Sequence, residues 1–236
     1  MNKSLKILLR KPDKSLRRFL RKPDWHNLRS LDPISSSFGW NRGTPIDRIF
    51  IEDFLKKNKG SIKGRTLEIS DNFYSKKFGT AVEKFEILHL TPDNDKATII
   101  GDLTDIKTLP ENRIDCFICT QTLNFIYNFK DAIIGAKHLL KEDGVVLVTV
   151  AGISQISAYD MSRWGDYWRF TTLSIQKSFE DVFGKGNVEV DFYGNVLTCI
   201  SFLEGICAEE LKESELFFKD PNYQMTIVVK AIKKTR

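Results

Sequence analysis

The run Phe129-Lys-Asp-Ala-Ile-Ile-Gly-Ala-Lys-His-Leu-Leu140, followed by Lys141-Glu-Asp-Gly144 and then Val145-Val-Leu-Val-Thr-Val150, sets the class of the fold. In the first piece Ala132, Ile133, Ala136, Leu139 and Leu140 recur at helical spacing and share one face. The charged stretch closing on a glycine ends that helix. The next six residues are apolar almost throughout, whereas a strand with one wet face alternates; this run therefore reads as a strand covered on both sides. A helix feeding such a strand is the repeating unit of a parallel sheet with helical crossovers.

The alternation extends in both directions. Upstream, the pattern predicts a helix at 46–57, carrying Ile46, Ile49, Phe50, Phe54 and Leu55 at helical spacing, with Thr44-Pro45 as N-cap and first-turn residue. Strands follow at 65–70, 86–91, 98–101 and 115–120. Downstream come a helix at 174–183, with Thr171 and Thr172 as capping candidates, a strand at 188–192, a helix at 196–210 and a last strand at 225–232. The prediction is an α/β fold: a Rossmann-like, doubly wound, mostly parallel seven-stranded sheet with helices on both faces. Ligands of such sheets sit beyond the carboxyl ends of the strands, where strand order reverses.

The 236 residues suit one large domain with an appendage, divided as 1–39 and 40–236. The formal charge of +5 is unevenly placed. Residues 1–31 hold ten Lys/Arg against Asp13 and Asp24, and the remainder holds 26 basic residues against 29 acidic ones. A mildly acidic body argues against nucleic acid as a partner. Arg-Lys-Pro-Asp occurs at 10–13 and again at 21–24, each proline breaking any helix before it. Between the repeats, Leu16, Phe19 and Leu20 fall on one side of two amphipathic turns. This segment is read either as a weak contact with an anionic membrane surface or as a solvated arm.

No apolar run approaches the length of a membrane span, and the N-terminus lacks the apolar core of a secretory signal. Cys116 and Cys119 form a C-x-x-C pair, but on a strand residues three apart face opposite ways, so the two sulfurs cannot share a metal. With Cys199 and Cys207 they read as buried free thiols in a reducing compartment, and no metal site is expected. The placement expected is cytoplasmic, at most peripheral to the inner face of a membrane.

The polar residues cluster at strand ends. The first strand leads into Glu68-Ile-Ser-Asp71 and Tyr74, the second ends at Leu90-Thr91, the third at Gly101-Asp-Leu103, and the fourth at Thr120-Gln-Thr122. A carboxylate at the first loop can receive a cationic amino group, and Asp102 can accept from an exocyclic amine such as that of adenine. Neither the glycine-rich dinucleotide loop nor the triphosphate loop is present. Acids and amides around a neutral nucleoside suit a sulfonium amino acid better than a pyrophosphate.

This layout resembles class I S-adenosylmethionine-dependent methyltransferases across roughly residues 42–232. The matching pieces are Leu67-Glu-Ile-Ser70, Gly101-Asp-Leu103, Ile114-Asp-Cys116 and Leu140-Lys-Glu-Asp-Gly144. Arg42-Gly-Thr-Pro-Ile-Asp-Arg48, Ser154-Gln-Ile-Ser157, Tyr159-Asp160 and Arg163-Trp-Gly-Asp-Tyr-Trp-Arg-Phe170 resemble a bacterial subgroup of these enzymes associated with glycan assembly. The resemblance implies S-adenosylmethionine as cofactor, held by Glu68, Ser70, Asp71, Tyr74, Thr91, Asp102, Leu103, Thr120 and Gln121. Two departures stand out. The first loop lacks the usual glycines, leaving Asp71 and Asn72 to tolerate left-handed angles; the second strand ends in Thr91 where a carboxylate is usual, with Asp93 as a substitute.

Tyr159 to Arg169 is the densest functional segment. Its rings suit stacking on a sugar, and its Arg and Asp residues suit hydroxyls or phosphate. Tyr159, Arg163, Trp164, Tyr167, Trp168 and Arg169, together with Arg42, are the candidate acceptor-binding residues. Asp160 and Asp166 are the candidate general bases for an oxygen acceptor, the alternative being ion pairs with Arg163 or Arg169. His89 reads as core, and His26 and His138 carry no catalytic assignment. The expected activity is methyl transfer to a small-molecule or sugar-type acceptor; the competing reading is a non-catalytic binding module of the same fold.

Overall fold

The computed structural model describes residues 29–234. Contacts divide the chain into Met1–Pro33 and Ile34–Arg236. The Arg-Lys-Pro-Asp repeats, the amphipathic turns between them and His26 all lie outside the described residues.

The body opens with α1 (Ile46–Lys57) and runs through β1 (Lys63–Ile69), α2 (Phe73–Phe78), β2 (Ala81–His89), β3 (Ile99–Ile100) and β4 (Ile114–Thr120). It continues with α3 (Phe129–Leu139), β5 (Leu140–Ala151), α4 (Ala158–Met161), α5 (Thr172–Phe183), β6 (Val188–Tyr193), α6 (Val196–Glu204), α7 (Glu213–Leu216) and β7 (Thr226–Ile232). The seven strands order as β3-β2-β1-β4-β5-β7-β6. The first five pair in parallel; β7 runs antiparallel between β5 and β6.

Both faces are covered, as the unalternating strand at 145–150 requires. Ile46, Phe50, Ile51, Phe54 and Leu55 of α1 pack against Cys116, Ile118, Leu147 and Val228 on one face. Ile133, Ala136 and Leu139 of α3 and Ile175, Phe179 and Phe183 of α5 pack against Leu67, Phe117, Val146, Val148 and Val229 on the other. Each fully buried phenylalanine adds about 2–3 kcal/mol of transfer free energy. Cys116 and Cys119 fall in different cores, and burial pushes the Cys119 thiol up to about 12.

Local details differ from the pattern reading: Leu140, expected in the helix, opens β5; β2 runs 81–89 where 86–91 was expected; and the short helices at 73–78, 158–161 and 213–216 were not expected. Thr44 is not the N-cap of α1; that position is Pro45. The Thr44 hydroxyl and amide instead donate to Glu209, at 2.6 and 2.9 Å, where Pro45 bridges Cys207. The helix expected to reach residue 210 stops at Glu204, because Gly205 turns left-handed (φ 69°) and the Ile206 amide folds back on the Ser201 carbonyl. Of the two capping candidates before α5, Thr171 is the cap, exchanging hydrogen bonds with Ser174.

Residues 34–45 are strapped to the segment after α6. Ser35 donates from its amide to Glu204, Arg42 forks onto Glu210, and Thr44 holds Glu209. Hydrogen bonds from Thr44 bring Glu209 to about 2, and the Arg42 partner brings Glu210 to about 2. Stability from these groups is complete above their ordinary value of 4.5 and is lost as pH falls through about 2. Both carboxylates are exposed, so each contributes no more than about 1 kcal/mol. The Glu209→Gln/Glu210→Gln pair should therefore flatten the fall in melting temperature between those pH values without altering the melt at neutral pH by much.

On α3, Gly135 sits where a Cβ would fall on the Leu103 carbonyl oxygen. Its absence lets the helix press against the loop carrying Asp102. Gly135→Ala should cost about 1–3 kcal/mol in urea unfolding, overlap outweighing the gain in helix propensity.

Candidate functional site

Strand order reverses between β1 and β4, and a cavity of about 1200 Å³ opens over their carboxyl ends. Its wall draws on the ends of β1, β2, β4 and β5, the turn after β3, residues 154–160, and Asp47 and Arg48 of α1.

At the first loop, Glu68 is buried at the end of β1 and accepts from the Tyr74 amide (3.1 Å), the Ser75 amide (2.7 Å) and the Ser75 hydroxyl. It thereby holds the N-terminus of α2. Burial raises its pKa, and the Ser75 and Tyr74 hydrogen bonds oppose that. Both oxygens are thus occupied within the protein. The left-handed residue here is Ser70 (φ 66°), not Asp71 or Asn72. Ser70 is locked because its amide donates to Leu88 and the next amide turns back to Ile69. Asp71 is exposed and accepts from the Phe73 amide; Tyr74 is buried, and its hydroxyl accepts from Arg48 at 2.9 Å.

Past β2 the expectation shifts by two residues. Thr91 and Asp93 bond to each other, and neither lines the cavity. His89, read as core from the sequence, stands in the wall instead, its Nδ1 beside the Thr91 carbonyl at 2.9 Å. The strand ends at His89, so its side chain is the last one set by the sheet. After β3, Asp102 and Leu103 line the cavity as expected. Asp102 Oδ1 accepts from the amide and hydroxyl of Thr104, each at 2.8 Å, and Oδ2 has no protein partner among the described residues.

Thr120 and Gln121 also line the cavity, Gln121 in a left-handed conformation (φ 46°) with its amide bonded to the Thr149 carbonyl at 2.8 Å. Non-glycine residues in this region carry of the order of 1–3 kcal/mol of strain. Both strained residues, Ser70 and Gln121, end the two strands that flank the switch point. Beyond them Asn124 is buried, its carbonyl holding the amides of Tyr167 and Trp168 and its Oδ1 unpartnered.

The aromatic segment arches over this floor. Arg169 donates to both oxygens of Asp166 (2.5 and 2.9 Å) and to the Gln155 carbonyl (2.6 Å), and the Ser157 amide donates to Asp166 (3.0 Å). The Asp166 side chain is 1 % exposed. Its pKa is lowered: desolvation pushes it up, and the Arg169 and Ser157 hydrogen bonds outweigh that. Asp160 accepts from the Ser157 hydroxyl at 2.6 Å and lines the cavity. Tyr159, Trp164, Tyr167 and Arg169 also line it, and Trp164 meets His89 edge-on across the opening. Arg163 and Trp168 do not. Arg163 stacks on Tyr159 at 3.5 Å; Trp168 packs on Phe129 and donates to the Tyr127 carbonyl. Arg42 is likewise elsewhere, paired with Glu210.

Among the wall residues not named as candidates are Trp40, Asn124 and, in the first turn of α1 and inside the quoted 42–48 motif, Asp47 and Arg48. An acidic residue there is expected for the helix dipole, which hid its other setting. Asp47 Oδ1 is buried without a partner, and burial raises its pKa while Arg48 lowers it. Arg48 reaches Tyr74 and lies 5.7 Å from the centre of the Trp40 ring. Among the described residues no group of side chains is arranged to hold a metal ion.

The sequence matches no family model and no curated protein. Solved structures do match in shape. A SAM-dependent methyltransferase from Archaeoglobus fulgidus aligns with a TM-score of 0.51 at 13% identity, over 79% of this chain and 94% of that one. The [4+2]-cyclase SpnF aligns with 0.53 at 13% identity, over 86% and 90%. Phosphoethanolamine N-methyltransferase 2 of Haemonchus contortus, in complex with S-adenosyl-L-methionine, aligns with 0.52 at 16% identity, over 87% of this chain and 54% of that one. At such identities the likeness is one of backbone architecture. The chain has the Rossmann-like fold of class I S-adenosylmethionine-dependent methyltransferases.

Proposed function

We propose that this protein transfers the methyl group of S-adenosylmethionine to an oxygen of a small-molecule or sugar-type acceptor. The observation that carries this reading is the cavity at the β1/β4 switch point, a largely apolar and aromatic wall with acids and amides at the strand ends and, among the described residues, no phosphate-cradling loop. Its volume of about 1200 Å³ exceeds the roughly 300–1,000 Å³ of ordinary ligand pockets, leaving room for a donor and an acceptor together. The residues fit the donor: Asp102 Oδ2 is free to accept from the adenine amine, and Leu103 offers an apolar surface beside it. The fold alone does not choose the reaction, since one structural neighbour is a cyclase.

The donor supplies an already activated methyl group, so the protein's part is alignment and exclusion of water. The Asp166–Arg169 pair holds the arch over the cavity. With both its oxygens bonded, Asp166 is a positioning residue. Asp160, which lines the cavity, would take the acceptor's proton, and the rings of Tyr159, Trp164 and Tyr167 beside it would receive a ring-bearing acceptor. The resemblance of 42–48, 154–157, 159–160 and 163–170 to a bacterial methyltransferase subgroup associated with glycan assembly supports a sugar acceptor. The acidic body supports small molecules over nucleic acid. No described helix is long and apolar enough to cross a membrane; the basic residues at 1–31 support a cytoplasmic protein that visits an anionic membrane face.

Calorimetric titration with S-adenosylmethionine and S-adenosylhomocysteine tests the reading. Micromolar binding of either is expected, and no binding at millimolar concentration would remove it. Asp102→Ala should weaken both by about 1.5–3 kcal/mol. Screening labelled methyl transfer into a cell extract should identify the acceptor. With that acceptor, Asp160→Asn should lower kcat by about 10²–10⁴ with unchanged S-adenosylhomocysteine affinity. Asp166→Asn should instead lower the melting temperature, costing about 3 kcal/mol for the orphaned Arg169.

A further inference from the structure

On α1, α3 and α5 the outward positions carry charges or amides: Lys56, Lys57, Lys130, Asp131, Gln176 and Lys177 are all exposed. The helix α6 is built otherwise. Its sequence, Val-Leu-Thr-Cys-Ile-Ser-Phe-Leu-Glu, holds no charged side chain before Glu204. Thr198, Cys199, Ser201 and Phe202 are buried against the body, whereas Val196, Leu197, Ile200 and Leu203 are 38–47 % exposed. Those four positions form one stripe of a helix. None of them lines the cavity, so the stripe is no part of the site described above. A helix that is apolar all round is normally covered all round, and among the described residues nothing covers this stripe.

Exposed apolar residues also stand at both ends of α6. Asn195, its N-cap, donates from its side-chain amide to the carbonyls of Glu215 and Phe218 at 2.7 and 2.8 Å, which sets the exposed Phe218 beside the first turn. At the last turn Glu204 accepts the amides of Ile34 and Ser35, at 3.3 and 2.9 Å, and Ile34 is exposed as well. Residues 1–33 therefore join the body at the end of the stripe. Their sequence holds a tandem repeat. Lys3-Ser-Leu-Lys-Ile-Leu-Leu-Arg-Lys-Pro-Asp13 is followed directly by Lys14-Ser-Leu-Arg-Arg-Phe-Leu-Arg-Lys-Pro-Asp24, with eight of eleven positions identical. Leu5, Leu8 and Leu9 of the first copy return as Leu16, Phe19 and Leu20, the spacing of one helical face, set among Lys and Arg.

We propose that the apolar stripe of α6 is a docking surface for an anionic lipid bilayer, with Val196, Leu197, Ile200 and Leu203 entering the boundary between headgroups and acyl chains. At nine residues α6 is too short to cross a membrane, so it lies along the surface. A small apolar contact and a polybasic segment are each weak, and together they anchor a protein. The body supplies the first and residues 1–31, ten basic against two acidic, supply the second. The duplication favours a lipid surface over other occupants: an extended anionic surface engages both copies at once and gains avidity, whereas the short stripe has room for one. A second copy of the chain would instead bring like-charged segments together. The surface is independent of the methyl-transfer reading of the cavity.

Flotation of the full chain with vesicles tests the proposal, using phosphatidylcholine alone or with an equal part of phosphatidylglycerol. Salt-sensitive binding to the anionic vesicles is expected, with little to the neutral ones. Leu197→Gln/Ile200→Gln/Leu203→Gln should weaken it at least about 10-fold with an unchanged thermal melt. A label reads the insertion directly. All four cysteines are buried, so an environment-sensitive fluorophore attaches selectively at Ile200→Cys. Its emission should rise and shift to the blue on anionic vesicles, while the same label at Lys177→Cys on α5 should not respond. Binding of the triple variant as tight as that of the unaltered chain, or a silent label at position 200, overturns the proposal and leaves membrane contact to residues 1–31 alone. Failure of the unaltered chain to bind anionic vesicles overturns it as well. A dimer in sedimentation that the triple variant dissolves would then assign the stripe to a second copy.

Discussion

The Glu68 carboxylate, buried at the end of β1, is the constraint on which the site is built. It satisfies two amides and a hydroxyl at the start of α2, and so turns the chain sharply from strand to helix without a glycine-rich loop. The left-handed backbone at Ser70 is held beside it by the amides of Ser70 and Asp71, bonded to Leu88 and Ile69. The same turn brings Tyr74 under Arg48, coupling the first helix of the body to the centre of the sheet. A carboxylate used in this way has both oxygens committed within the protein.

A second buried charge shapes the opposite side. Arg169 and Asp166 neutralise each other beneath the arch, and the remaining donors of Arg169 take up backbone carbonyls at 154 and 155. Such a pair adds little net stability compared with apolar residues, but it fixes one loop geometry, because every alternative leaves a charge without a partner. The rings of Trp164 and Tyr167 are thereby held over the cavity, with Trp164 against His89 across the opening. The cavity thus has a floor set by strands and one side set by an ion pair.

The placement of charge in the fold follows from the same economy. Both cores are apolar, so the polar side chains of the cavity wall gather at strand ends and in the first turn of α1, while others are paired within the sheet, as Glu86 is with Arg65, Lys84 and Arg113, or in the strap between 34–45 and 204–210. The acidic pair Glu209 and Glu210 belongs to that strap, and so does Arg42, which is why a basic residue in a motif resembling an acceptor-binding one stands away from the cavity.

What the sequence by itself determined is the architecture and which strand ends wall the cavity. Apolar runs without alternation, such as 145–150, require cover on both faces, and helical spacing at 46–57, 129–140 and 174–183 supplies it; both are local patterns imposed by backbone geometry. Asp102, Leu103, Thr120 and Gln121 were legible because strand ends are local too. Only the tertiary structure decided which polar groups remain free. Glu68 and Asp166 look available in one dimension and are consumed by Tyr74, Ser75 and Arg169; Trp168, Arg163 and Arg42 turn to other partners; and Asp47 keeps one carboxylate oxygen buried without a hydrogen bond. Hydrogen-bond saturation depends on contacts across the whole chain, and no spacing rule along it can record them.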